Sequence, residues 1–182
     1  MDDEPPAKRA RTESPAPPNT KNYWLFKSEP DTRLEKGTDV SFSIDDLMRC
    51  TEPEPWTGVR AHGPKNSMKA MKVGDKGLFY HSNTKTPGVV GILEVVQEAT
   101  PDPSAFDKTG PYYDRLSTHE NPRWHCVSVG FVQKFDKPEL TTLRELKKHT
   151  SGALEGMQLL RQSRLSVSSV TAKQWDAILG LA

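Results

Sequence analysis

Apolar positions in this chain fall in short runs separated by polar, proline-rich stretches. Tyr23-Trp24-Leu25-Phe26 is apolar at every position, which suits a central strand covered on both faces. Ser43-Ile44-Asp45-Asp46 reads as a helix N-cap with acid in the first turn. Met68 and Met71 predict a short amphipathic helix over 65–72, ending at Gly74. Strands are expected at 77–82 and 87–98, joined by the polar turn Asn83-Thr84-Lys85-Thr86. Gly91 inside the second signals a bulge or a close backbone approach. Val127, Val129 and Phe131 alternate along a strand over 124–133. Leu143, Leu146 and Lys147 fit a helix near 140–149, and Leu165-Ser166-Val167 looks like a closing strand. Thr171-Ala172-Lys173-Gln174 is a capping box opening a last helix, with Trp175, Ile178 and Leu179 inward.

Between these elements lie a turn-rich region at 53–64 and an irregular stretch at 100–121 that holds Tyr112-Tyr113. A loop that long is commonly functional or packed as a flap. About five strands interrupted by helices, with two hairpin-like joins, argue against a βαβ doubly wound fold. They fit an α+β domain: a small mixed barrel with peripheral helices. At 182 residues there is length for one such domain and a tail.

The tail is read at residues 1–21, where five prolines, mixed charges and no aromatic residue predict disorder; the domain then runs over 22–182. Within the tail, Lys8, Arg9 and Arg11 form a basic cluster. It reads either as a signal for an import receptor or as a solvated charge run. The tail's charges cancel. Removing its 4 basic and 4 acidic residues from totals of 25 and 24 leaves 21 against 20. Binding to nucleic acid would therefore rely on a pocket or local patch, with a shallow salt dependence. Met1-Asp2-Asp3-Glu4 lacks the apolar run of an export signal, so Cys50 and Cys126 are expected as reduced thiols.

Five histidines and two cysteines show no zinc-ligand spacing, and neither a P-loop nor a GxGxxG pattern occurs. No cofactor or metal is expected. Ser82 follows His81, but adjacent strand residues face opposite ways, so the pair is no catalytic dyad. What stands out is polar residues among aromatic ones at strand ends. These are Lys27-Ser28-Glu29, Trp56 and Arg60 on a Gly-containing turn, Asn66, and Tyr80-His81-Ser82. Such a set suits a planar ligand, which needs aromatic faces and a few polar groups for its edge. Each also has a plainer reading, Trp56 as core and Glu29 as a cap or salt-bridge partner.

Taken in order, these runs resemble the EVE domain family: Tyr23-Trp24-Leu25-Phe26-Lys27-Ser28-Glu29-Pro30, Trp56-Thr57-Gly58-Val59-Arg60 and Phe79-Tyr80-His81-Ser82. Pro87-Gly88-Val89-Val90-Gly91-Ile92, Asn121-Pro122-Arg123-Trp124 and Arg164-Leu165-Ser166-Val167 continue the likeness, which spans roughly residues 22–180. The resemblance implies a PUA-like mixed β pseudo-barrel, a nuclear protein, and a cavity that recognises a modified base. Transferred by motif, Lys27 and Ser28 line the pocket edge beside Trp56. Arg60 and Asn66 lie at the mouth, and Tyr80, His81 and Ser82 form the opposite wall. The rim departs from the family pattern at Ala61, His62, Lys65 and Lys69.

The expected function is that of a monomeric binding module for a modified nucleobase in DNA or RNA, methylated or oxidised cytosine in DNA being favoured. Two other readings stand beside it. One is a nucleic-acid hydrolase with Glu29 or His81 as base; the other is a module for a protein or small metabolite.

Overall fold

The structure, a computed structural model, describes residues 21–182; the expectations for the tail, including the Lys8, Arg9 and Arg11 cluster, fall outside the described residues. β1 (Tyr23–Ser28) is followed by a hairpin of β2 (Leu34–Glu35) and β3 (Thr38–Asp39). Lys36 and Gly37 supply the two positive-φ positions that a tight hairpin turn needs. Then come α1 (Ile44–Arg49), β4 (Glu54–Pro55), α2 (His62–Ala70), β5 (Lys76–His81) and β6 (Gly88–Pro101). β7 (His125–Lys134), α3 (Leu143–Leu146), α4 (Gln158–Arg161), β8 (Val167–Val170) and α5 (Ala172–Leu179) complete the chain.

Six strands form one mixed sheet in the order β4-β7-β6-β5-β1-β8, with β1 parallel to β5 and every other pair antiparallel. The α+β, PUA-like architecture is confirmed. The Ser43 N-cap and the Thr171–Gln174 capping box both form, and Asp46 turns the Ser43 cap into a second box. Gly91 meets both expectations. The register slips there, because Phe79 faces Gly91 while Tyr80 faces Val89. A Cβ at Gly91 would also collide with the Gln133 carbonyl.

Three departures from expectation have clear causes or consequences. α2 begins at His62 rather than Lys65, because Pro64 sits in its first turn, where a missing N–H costs nothing. The region near 140–149 is broken. A 3-10 turn (Pro138–Thr141) gives way to extended backbone at Thr142, which caps the four-residue α3. The closing strand runs from Val167 to Val170, pairing with β1, while Ser166 gives its carbonyl to the Lys27 amide at 2.8 Å.

The sheet carries apolar side chains on both faces. Along β1, Trp24 and Phe26 enter one core with Phe79, Val127, α1 and α2; Leu25 enters the other with Leu78, Tyr80, Trp175 and Ile178. Buried Asp75 accepts the Trp24 indole N–H at 2.9 Å and the Lys72 amide at 3.1 Å, tying β1 to the turn before β5. β4 and β8 are the two edges of the sheet. The barrel stays open along the seam between them.

Candidate functional site

A cavity of about 680 Å³ occupies that seam, within the size range of small-ligand sites. One edge contributes Glu54 to Arg60, the other Ser163, Arg164 and Ser166, and the end of β1 contributes Lys27, Ser28 and Glu29. Trp56 is 8% exposed and belongs to the first core as well as to the lining. Phe26, Phe79 and Phe42 meet its ring nearly at right angles, with centroids at 5.2, 5.6 and 6.2 Å. The Trp56 ring is therefore locked in place before any ligand arrives.

The hydroxyls where β1 and β5 end have fixed polarity. Ser28 donates its only hydroxyl proton to the Phe42 carbonyl at 2.6 Å, and Ser82 donates to the Ser28 carbonyl at 3.2 Å. Carbonyls only accept, so both hydroxyls have only lone pairs left to offer the cavity. Glu29 adds carboxylate oxygens, held by Arg33 at 2.8 Å and Asn83 at 3.3 Å. Donors come from Lys27 and Arg164. Lys27 gives one proton to the Ser163 carbonyl at 2.6 Å, and burial pulls its ammonium below the ordinary lysine range.

Arg60 lines the cavity but has no donor to spare. Its five N–H groups go to the Val59 carbonyl (3.0 Å), Asp102 (2.8 Å), the Ser104 hydroxyl (3.0 Å) and twice the Tyr112 carbonyl (3.0 and 2.7 Å). Wholly buried Asp102 also accepts from the Gly58 amide at 2.9 Å. Gly58, at φ +82°, lies so close to Tyr112 that a Cβ there would sit 2.7 Å from the ring. Part of the long 100–121 stretch is thus clasped onto the Trp56 turn as a cavity wall.

Lys27, Ser28, Trp56, Arg60 and Ser82 come together around the cavity. Asn66, Tyr80 and His81 lie outside its lining. Asn66 is exposed on α2. Tyr80 packs in the opposite core, where burial pushes its phenol up to about 12. His81 Nε2 accepts the Ile44 amide at 3.1 Å, at the start of α1. Sequence reading did not single out Arg164, Phe42, Asn83 or the Arg33 side chain, all of which line the cavity. Arg164 and Asn83 sat inside quoted motifs; Phe42 carried no signal of its own.

The fold is an open PUA-like sheet with an aromatic and polar cavity in its seam, and the model of the EVE domain matches residues 22–181. The chain belongs to the EVE domain family. It is 42% identical over 170 residues to human thymocyte nuclear protein 1, covering 90% of this chain and 75% of that protein. The mouse protein of the same name is 44% identical over the same length, 90% and 74% being covered. Among solved structures, human THYN1 protein in complex with 5-methylcytosine-containing DNA superposes with a TM-score of 0.84. Its identity is 42%, over 88% of this chain and 97% of that one. A hypothetical protein from Leishmania major gives 0.76 at 47% identity, covering 88% and 93%.

Proposed function

We propose that this chain is a nuclear binding module that takes a modified cytosine of DNA into the seam cavity. The carrying observation is the pairing of a rigid Trp56 with acceptor-only hydroxyls at Ser28 and Ser82, in a chain so similar to one crystallised with methylcytosine DNA. A cytosine presents an amino donor at N4, which a serine lone pair or the Glu29 carboxylate accepts. Thymine presents a carbonyl oxygen at that position and would face lone pairs. Lys27 and Arg164 supply donors for the ring's own acceptors. The names of the relatives and the basic cluster at Lys8, Arg9 and Arg11 support a nuclear location.

Binding rather than turnover is what these groups favour. The His81 ring nitrogen that a general base would need is occupied by the Ile44 amide, and Glu29 is engaged by Arg33 and Asn83.

Stacking one base contributes about 1–3 kcal/mol. One buried methyl adds about 0.8 kcal/mol, roughly a fourfold preference. The test is fluorescence titration with matched oligonucleotides carrying cytosine, methylcytosine, hydroxymethylcytosine, thymine or methyladenine. Ser28→Ala and Trp56→Phe serve as variants that spare the core better than Trp56→Ala. A methylcytosine preference of a few fold over cytosine is expected, with Ser28→Ala narrowing the margin of both over thymine and Trp56→Phe weakening binding of every base. Equal binding to every base, untouched by the variants, would remove the reading.

A further inference from the structure

We propose that a cationic strip running from Arg164 along α2 binds the phosphodiester backbone flanking the base in the cavity. This rests on the reading above for what fills the cavity, but the surface argues its own case.

The two parts of the strip are neighbours. Arg164 is exposed at the cavity edge, and its neighbour Leu165 packs 3.6 Å from the Cβ position of Gly63 in the first turn of α2. Beside Gly63, the His62 ring stacks on Trp124, with centroids 5.2 Å apart and planes at 28°. Lys65 Nζ lies 3.2 Å from His62 Nδ1 and 5.8 Å from the Trp124 ring, and Arg123 lies 5.6 Å from the same ring. Lys69 follows one turn along α2, where i and i+4 side chains share a face.

Charge is segregated across the cavity, although the chain as a whole carries only +1. α2 contains His62, Lys65 and Lys69 and no carboxylate. Lys65, Lys69 and Arg164 have no carboxylate partner among the described residues. The carboxylates on this side are committed, Asp114 to Arg123 and the Trp124 indole, Asp102 to Arg60. Elsewhere around the cavity, Glu29, Glu54 and Glu35 stand among Lys27 and Arg33, so charge there nearly balances. A polyanionic strand entering the cavity is drawn toward α2, where no carboxylate offsets the cations. Trp124 and His62 give the strip an aromatic floor against which alkyl stems and sugars pack.

The experiment uses the full chain and a short single-stranded DNA with one central methylcytosine, beside its unmethylated twin, titrated across a range of salt. Neutralising a phosphate of a single strand changes the logarithmic salt slope by about 0.7. Three contacts, from Lys65, Lys69 and Arg164, predict a slope near −2, and K65Q/K69Q should flatten it to about −0.7. Affinity should fall on the order of twentyfold near 0.1 M salt, for both oligonucleotides alike. K65R/K69R should keep both slope and affinity, and thermal melting should be the same for all chains. An unchanged slope and affinity in K65Q/K69Q overturns the strip, as does equal competition by poly-glutamate at matched charge. Failure of base reading looks different: the two oligonucleotides bind alike in every chain, while the slope still flattens in K65Q/K69Q.

Discussion

Arg60 donates to Asp102 at 2.8 Å across 42 residues of sequence, and the carboxylate that receives it is wholly buried. The pair joins the turn that carries Trp56 to the stretch that carries Tyr112, so the wall of the cavity depends on one guanidinium. Removing one partner of a buried pair leaves the other desolvated and unpaired, at about 3–5 kcal/mol. Arg60→Ala should therefore lower stability by about 3 kcal/mol in urea denaturation, because the guanidinium retains some solvent. Arg60→Lys should recover only part of this, since an ammonium cannot reproduce the five-donor fork. Proteolysis within residues 103–114 should rise in both variants. Full stability in Arg60→Ala would mean that the clasp is not holding the wall.

Gly58 and Tyr112 set the shape of the same wall. Gly58→Ala meets two obstacles, a φ of +82° and a Tyr112 ring carbon 2.7 Å from the new Cβ. Gly74 has a φ of +91° but nothing within 4 Å of its Cβ position. Gly74→Ala therefore measures the backbone strain alone, about 1 kcal/mol. Gly58→Ala should cost more, up to about 3 kcal/mol, and should also weaken ligand binding by displacing Tyr112. Matched losses at the two sites, read by chemical denaturation, would show that Tyr112 yields freely.

His81 couples pH to stability. Its Nε2 must be unprotonated to accept the Ile44 amide. Burial holds the imidazole below the ordinary value of 6.5, with Lys134 adding to that effect, against the opposing pull of Asp45, Asp31 and Asp46. A folded-state value below the unfolded one means the contribution is complete above about pH 6.5 and is lost as pH falls through the lower, folded value. Stability should decline on acidification from pH 7.5 towards 5. His81→Gln, whose amide oxygen accepts without titrating, should flatten that part of the curve. A decline of equal slope in both chains, followed by thermal melting, would assign it to other groups.

Much of the scaffold was legible because its causes are local. The uniformly apolar Tyr23–Phe26 run announced a strand buried on both faces, since alternate residues feed opposite cores. Ser43 with Asp46 and Thr171 with Gln174 satisfy helix amides three residues away, a spacing visible in any sequence. Gly91 was readable as a bulge because few other residues tolerate such an approach. The Lys36-Gly37 turn carries an equally local signal, a glycine in a polar tetrad.

Long-range packing selects which of the polar and aromatic residues meet. Strand alternation turned Tyr80 into the core opposite the cavity, while Phe79 faced Trp56. Arg60 sat in a recognisable motif, yet its donors were spent on Asp102, Ser104 and Tyr112, partners 42 to 52 residues away. No periodicity reports such a contact. The parallel pairing of β1 with β5 and the open seam between β4 and β8 likewise arise from long-range docking, and the seam brings Arg164 and Trp56 to one cavity. Most of the elements and their caps could be read locally, because hydrogen bonds and apolar periodicity act over a few residues. The cavity and the cationic strip beside it required chain segments distant in sequence to be packed together.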